Sequence, residues 1–394
     1  MQPTLVSQQI MEGRKVLRFD HECLREWGYQ TSRTEYFYVV EPQKLLPKAP
    51  LLVILHSAGG DAQAELPKYL EKPWFKSLAC FYTLALNSGQ GEDDWWGAHA
   101  IRDHKSTYAK RLTPVESRVL ATLQWVLANY PIDPDRVYLY GGSMGGSGGL
   151  GIAMPRGDLF AAIYIEIPAG FDHFYHRMGL PNPADSKISF LPISRFPDPP
   201  VLVFAASHMD RWGEGLSGFL NMLGEQRLAA VFTWGPWGHS ADPWKQPTLS
   251  RAAWEFPWQS VRRNEAYPAF TNSSTDGRWP GYMSSGPDQY GQINGYFRWC
   301  SVTDLPDSFA MELRLVQEGE LDGPDSRLPA ESTTDVTIRR FQRFVVEWGK
   351  IYAWRFEREG KLVGCGTARA DVDGLLTIPR LEICRRPSRL TLTR

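Results

Sequence analysis

The sequence predicts an α/β fold: a mostly parallel sheet covered by helices in its first two-thirds, then an all-β domain. Three observations carry this reading. Strand-like and helix-like segments alternate as far as about Arg262. The strand runs there are apolar at successive positions, as strands covered by helices on both faces must be. Beyond Arg262 helical periodicity gives way to short strand-like runs separated by turn residues. A length of 394 residues accommodates two domains, and the composition shift sets them at 1–262 and 263–394.

The elements follow in order. "YFYVVEP" from Tyr36 and "LLVILHS" from Leu51 read as strands, and "FYTLALNS" from Phe81 as a third. This leaves about 35 residues ahead of the first strand, and His21 among them. "TPVESRVLATLQWVLANY" is a helix. Thr113 is its N-cap, Pro114 suits the first helical position and Glu116 completes a capping box, while Val119, Leu120, Leu123, Leu127 and Tyr130 repeat with helical period. "VYLY" from Val137, "FAAIYIEIP" from Phe160, "PVLVFAAS" from Pro200 and "AAVFTW" from Ala229 complete the strands of this region. The last third contains "GYFRWCSV", "SFAMELRLV", "TDVTIRRFQRFVV", "KIYAWRFERE", "KLVGCGTARA", "GLLTIP" and "SRLTLT". Roughly seven short strands at this spacing suggest a β-sandwich of immunoglobulin or fibronectin-III-like style. The Gly-, Ser-, Asp- and Pro-rich run from Thr271 to Gln292 is a long connection.

Composition narrows the function. The formal net charge is -1, from 43 basic and 44 acidic residues, with no long run of one sign. This gives no electrostatic footprint for nucleic acid or an anionic membrane surface. No stretch approaches a membrane-spanning length. The opening "MQPTLVSQQIMEGRKVLRF" has no apolar core of a signal peptide. The compartment stays open between the cytoplasm and, with a leader outside this sequence, the periplasm or exterior. Cys23, Cys80, Cys300, Cys365 and Cys384 are dispersed and form no CxxC, against a zinc site or dense disulfide framework. Aromatic residues make up 13% of the chain, including 15 tryptophans. They serve an aromatic core or a cleft lined for flat rings.

"VYLYGGSMGGSGG", Val137–Gly149, holds the main ambiguity. Gly146–Gly151 formally matches GxGxxG, with Glu166 about 20 residues on, as in a dinucleotide fold. The register is poor, because those glycines do not begin at the strand end and several strands precede them. The alternative is GxSxG, Gly141–Gly145, between a strand and a helix-like segment. There a sharp turn holds Ser143 strained so that its hydroxyl projects from the sheet edge. The flanking glycines are needed because a Cβ would clash with neighbouring chain.

GxSxG becomes specific when an oxyanion-hole strand precedes it and an acid and a histidine follow. "LLVILHSAGGD" is such a strand, which makes the Ala58 and Met144 amides the candidate oxyanion donors. Asp210 ends the strand of "PVLVFAASHMDRWGEG" and is the candidate acid, with Glu214 and Asp172 as alternatives. His239, in "VFTWGPWGHSADP", is the candidate base. His56, at the oxyanion strand end, shapes its loop, and Asp242 is a turn residue. Trp95, Trp96, Trp212 and Trp237 are candidates for the substrate cleft. Asp93, Asp94 and Asp103 could bind a metal but read better as a solvated loop. No metal and no cofactor are expected.

With these residues in place, "IDPDRVYLYGGSMGGSGG" and the preceding "LLVILHSAGGD" resemble the α/β-hydrolases grouped with feruloyl and acetylxylan esterases and polyhydroxybutyrate-depolymerase-like esterases. The match spans roughly Tyr36 to Pro243. It implies an α/β-hydrolase fold with Ser143 as nucleophile, Asp210 as acid and His239 as base, and hydrolysis of a small or polysaccharide-linked ester through an acyl-enzyme. One departure stands out: His56-Ser57 replaces the family's usual His-Gly. Ser57 either narrows the backbone approach or adds a hydroxyl near the site. The rival readings are a prolyl-oligopeptidase-type peptidase, disfavoured by the short N-terminal segment, a polyester-cleaving esterase, and a carbohydrate-binding protein without catalysis.

Overall fold

Long apolar strands in the first half of the chain demand cover on both faces, and the computed structural model shows how they obtain it. It describes residues 2–89, 94–95, 111–180, 198–240, 248–286, 289–321 and 328–394. The chain divides into two compact units, Met1–Pro200 and Val201–Arg394.

The first unit is built on β1 (Thr4–Met11), β2 (Arg14–Glu22), β3 (Thr34–Val40), β4 (Ala49–Leu55), β5 (Tyr82–Leu86), β6 (Ile132–Gly142) and β7 (Ala162–Glu166), in the spatial order β1-β2-β3-β5-β4-β6-β7. β1, β2 and β3 are antiparallel, and β3 runs antiparallel to β5. β4 is parallel to both β5 and β6, and β6 to β7. The swap of β4 and β5 in this order, followed by parallel strands, is the α/β-hydrolase arrangement. β4 lies between β5 and β6, and all seven of its residues are buried, which is why its sequence is apolar without alternation.

The helices of this unit are α1 (Ala62–Glu71), α2 (Pro73–Lys76), α3 (Pro114–Asn129), α4 (Met144–Ala153) and α5 (Asp172–Met178). α3 starts as its capping box requires: the Thr113 hydroxyl accepts the Glu116 amide at 3.3 Å, and the Glu116 carboxylate accepts the Thr113 amide at 2.6 Å.

Two expectations are corrected here. The sheet begins at Thr4, not near Tyr36, and His21 lies within it on β2. The His21 imidazole is buried against Trp27 and Phe37. Burial, and secondarily the Arg118 charge, push its pKa down to about 3. β1 escaped sequence reading because Leu5, Val6 and Ile10 are exposed, so no buried face imposes a pattern.

The second unit opens with a parallel pair, β8 (Val201–Ser207) and β9 (Ala230–Gly235), connected through α6 (Leu216–Glu225), with α7 (Thr248–Trp254) following. β10 (Tyr267–Thr271), β14 (Glu331–Arg339) and β17 (Leu376–Cys384) form one antiparallel sheet. β12 (Phe297–Asp304), β13 (Ser308–Leu315), β18 (Ser388–Thr393), β15 (Ile351–Arg358) and β16 (Lys361–Arg369) form another. Phe297, Met311, Leu313 and Leu390 from one sheet share a core with Val336, Ile338, Leu376 and Ile378 from the other. Two antiparallel sheets closed over a common core make this region a β-sandwich, and all seven predicted strands are present.

The sandwich is bound to β8 and β9 within this unit. β11 (Gly291–Ile293) pairs antiparallel with β9. Asn294 Nδ2 donates to the carbonyls of Ala230 and Phe270 at 3.0 and 2.9 Å. Arg339 reaches the carbonyls of Gln226 and Arg227, each at 3.2 Å. The composition shift near Arg262 thus marks a change of secondary structure, while contact density divides the chain at Pro200.

Candidate active site

Close backbone packing shapes the end of β6. A Cβ on Gly141 would stand 2.2 Å from the Gly145 carbonyl oxygen, and one on Gly145 would stand 2.1 Å from the Leu55 carbonyl oxygen. Only glycine permits the strand, the turn and the first turn of α4 to pass this closely. Ser143 between them has φ 53° and ψ −119°, a conformation that a residue with a side chain rarely adopts. Three backbone bonds over-determine it. The Ser143 amide donates to the Glu166 carbonyl at 2.9 Å, and the Ser143 carbonyl accepts from Ser147 at 3.0 Å and Ala169 at 3.2 Å.

The same packing disposes of the dinucleotide alternative. Gly146–Gly151 lies inside α4, whose residues are all buried. Cβ atoms would meet Glu166 and Ile165 at Gly146, Trp95 at Gly148, Ile165 and Leu139 at Gly149, and His173 at Gly151. These glycines let a helix lie against its neighbours and leave no backbone open to a pyrophosphate. Glu166, the would-be ribose ligand, is hydrogen-bonded to the Tyr140 hydroxyl, and burial raises its pKa.

After β4, the buried His56 imidazole is held from both nitrogens. The Ser88 amide donates to Nε2 at 3.0 Å, so Nδ1 bears the proton and donates to the Ser57 carbonyl at 2.9 Å. Burial lowers its pKa, and its role is to shape the loop. The Ser57 hydroxyl donates to the Gly142 carbonyl at 3.2 Å. The Ser57 hydroxyl therefore fastens this loop to the residue preceding Ser143. Ala58 lies in the exposed turn that follows, closed by the Gly60 amide on the Ser57 carbonyl at 3.3 Å. Met144 is the first residue of α4 and is buried.

Trp95 departs from expectation. Its ring is fully buried, packs edge-on against His56 at 5.1 Å, and donates from Nε1 to the His56 carbonyl at 2.9 Å. It packs against the end of β4 and, with no exposed face, does not wall a cleft. Asp94 is buried beside it. Trp96, Asp93, Asp103 and Asp242 lie outside the described residues.

In the second unit, His239 Nδ1 donates to Asp210 Oδ2 at 2.7 Å. Asp210 is buried, and its other oxygen accepts the Trp212 amide at 3.0 Å. This leaves the carboxylate fixed on both sides, while the imidazole is partly exposed. The exposed Glu214 is not the residue that carries His239. Asp172, the other alternative, is exposed at the start of α5 in the first unit.

Sequence reasoning missed Ser207, the buried last residue of β8. Its Oγ accepts the Met209 amide at 3.2 Å and the Trp237 amide at 2.9 Å. One hydroxyl thereby ties the loop bearing Asp210 to the loop bearing His239. Only the apolar run ending in a small polar residue hinted at it. Trp212 is exposed, with the Arg211 guanidinium 5.2 Å from its ring, and Trp237 is half-buried.

Among the described residues no group of three or more His, Cys, Asp or Glu gathers as metal ligands would, and all five cysteines are free thiols. No helix among the described residues is long and apolar enough to cross a membrane. Neither protein-family models nor curated sequences yield a match. Among solved structures, an S-formylglutathione hydrolase from Agrobacterium tumefaciens is similar at 16% identity and TM-score 0.43, over 60% of this chain and 92% of that one. A ferulic acid esterase is similar at 15% identity and TM-score 0.39, over 57% and 91%. A putative dipeptidyl aminopeptidase IV from Bacteroides ovatus is similar at 12% identity and TM-score 0.41, over 58% and 33%. Likeness at this level carries no functional argument.

Proposed function

We propose that this chain is a serine-dependent carboxylic ester hydrolase. The observation that carries the reading is the backbone of Ser143, held at φ 53° between Gly141 and Gly145, where an added Cβ would stand 2.2 and 2.1 Å from backbone carbonyl oxygens. Strain of about 1–3 kcal/mol persists where the surroundings over-determine it, and such sites are commonly functional. The Asp210–His239 pair supports it independently, because a buried carboxylate on Nδ1 leaves Nε2 as the basic nitrogen.

In the proposed reaction His239 Nε2 takes the Ser143 hydroxyl proton as Oγ attacks the ester carbonyl. Asp210 stabilises the imidazolium. The Met144 and Ala58 amides receive the oxyanion, one such donor typically lowering the barrier by about 3 kcal/mol. The C–O bond to the alcohol breaks as His239 returns the proton to the leaving oxygen. Water, deprotonated by the same imidazole, then hydrolyses the acyl-serine. No cofactor takes part. The substrate is a carbohydrate-linked acetyl or feruloyl ester. The resemblance at Ile132–Gly146 supports this, as do Trp212 and Trp237 beside the acid and base.

The test compares an acetyl ester, a feruloyl ester and a prolyl-peptide amide with the wild type and Ser143→Ala. Ester turnover that vanishes in the variant is expected. No ester turnover by the wild type, or full turnover by the variant, overturns the reading, and amide cleavage above ester cleavage makes the protein a peptidase.

A further inference from the structure

The connection between β10 and β11 returns to the acid loop. Trp279 packs on Phe232 and Trp234 of β9, each at 5.7 Å between ring centres, and edge-on to the buried His208 ring at 6.2 Å. Gly277 and Gly291 come so close to Trp234 that a Cβ on either would stand 2.8 or 2.0 Å from its ring. The Met283 amide donates to the His208 carbonyl at 2.7 Å. Met283 itself has φ 54° and follows Gly281 at φ 92°. The strained turn is thus pinned by a ring on one side and a backbone bond on the other. It sets Tyr282 and Met283 beside the chain that leads into Asp210.

These anchors point inward, yet the side chains they deliver are open. Tyr282 is 43% exposed and Met283 54%, and on the acid loop Met209 is 39% and Trp212 40% exposed. Four large exposed apolar side chains, two on the Met209–Trp212 segment and two on the turn bonded to His208, make a concentration that a solvent-facing turn has no reason to keep, and such patches mark binding surfaces. Their composition suits a ring. The two aromatics offer faces and edges, and the two thioethers adapt to an aromatic partner.

We propose that Tyr282, Met283, Met209 and Trp212 form a subsite for the ring of the ester's alcohol part, a sugar ring in the substrates proposed above, built by the sandwich region onto the acid loop. This rests on the hydrolase reading above. The side of the ester follows from the proton's path. His239 must hand its proton to the leaving oxygen, so the alcohol lies on the imidazole's side of the scissile bond. Met209 and Trp212 lie on either side of Asp210 in the chain, the Trp212 amide bonds its carboxylate, and that carboxylate holds the His239 imidazole.

The experiment keeps the acyl group constant and compares 2-phenylethyl acetate with ethyl acetate, alcohols of similar leaving ability. The proteins are the wild type, Tyr282→Ala, Met283→Ala and Trp212→Ala. Their exposed side chains make folding of the variants straightforward to preserve. The ratio of kcat/KM for the phenylethyl over the ethyl ester is expected to fall about tenfold, chiefly through KM. The ratio for ethyl phenylacetate over ethyl acetate, which varies the acyl side, is expected to stay within about twofold. An unchanged alcohol ratio, or a fall confined to the acyl ratio, overturns the subsite while leaving the hydrolase reading intact. Wild-type inactivity on every ester overturns the hydrolase reading, and the subsite with it.

Discussion

Gly145→Ala probes the close approach on which the Ser143 turn depends. The added Cβ would stand 2.1 Å from the Leu55 carbonyl oxygen, 2.7 Å from its carbon and 2.9 Å from the His56 carbonyl oxygen. All three are backbone atoms, so no side chain can rotate away. Contacts of a real Cβ do not fall below 3.0 Å, so 3.0 − 2.1 = 0.9 Å must be found between α4 and the end of β4. β4 is buried and hydrogen-bonded to β5 and β6, so α4 gives way, carrying Ser143 and the Met144 amide with it. A displacement of about 1 Å costs a catalytic constellation roughly a hundredfold, or about 2.7 kcal/mol of barrier. Overpacking adds about 1–3 kcal/mol of lost stability. The assay is kcat/KM on an acetyl ester beside chemical denaturation, with Gly224→Ala as control. That glycine lies in α6 with nothing within 4 Å of its Cβ position. The control should hold activity and gain about 0.5–1 kcal/mol. If Gly145→Ala keeps wild-type kcat/KM and denaturation midpoint, the idea that this approach shapes the nucleophile turn is wrong.

Ser207→Ala removes the acceptor shared by the Met209 and Trp237 amides. Each loses a bond worth about 0.5–1.5 kcal/mol, and kcat is expected to fall more than stability does; a kcat equal to wild type would deny Ser207 its positioning role. Glu116 is buried between His173 and Arg177. Burial alone would raise its pKa, but the Arg177 charge, the His173 bond and the Thr113 amide outweigh it and bring it down to about 2 from the usual 4.5. A depressed folded pKa contributes stability that is full above 4.5 and lost as pH falls toward 2. Glu116→Gln should therefore cost about 3 kcal/mol near neutrality, with the gap to wild type closing in acid denaturation series. Asp276 is the opposite case, since burial pushes its carboxyl up to about 7 despite its bonds to the Asn294 and Ser273 amides. Here stability is full below the usual 3.8 and lost as pH rises through about 7. Asp276→Asn should gain on the wild type in melting temperature between the usual 3.8 and about 7, and a constant difference across that range would refute the assignment.

Much of the fold was legible because its signals are local. The α3 capping box, the both-face apolar runs of β4 and β8, and the glycine spacing around Ser143 each depend on residues a few positions apart. The seven sandwich strands announced themselves by short strand-like runs and the turn residues between them, though not by what they pack against. β1 and β2 were missed, as the exposed face of β1 leaves no periodic imprint.

The amino-acid sequence by itself determined most of the order of strands and helices, because propensity and hydrophobic period act over short spans, and its motifs put forward the three residues on which the proposed acyl transfer rests. Tertiary structure alone decided what distant segments do to one another. It turned Ser57 onto the Gly142 carbonyl, 85 positions away. It buried Trp95 beneath His56 instead of opening it to a cleft. It let one Ser207 hydroxyl serve two loops and brought Met283 from the sandwich region to the acid loop. Such contacts follow from which surfaces must hide from water together, and no local pattern along the chain records that choice.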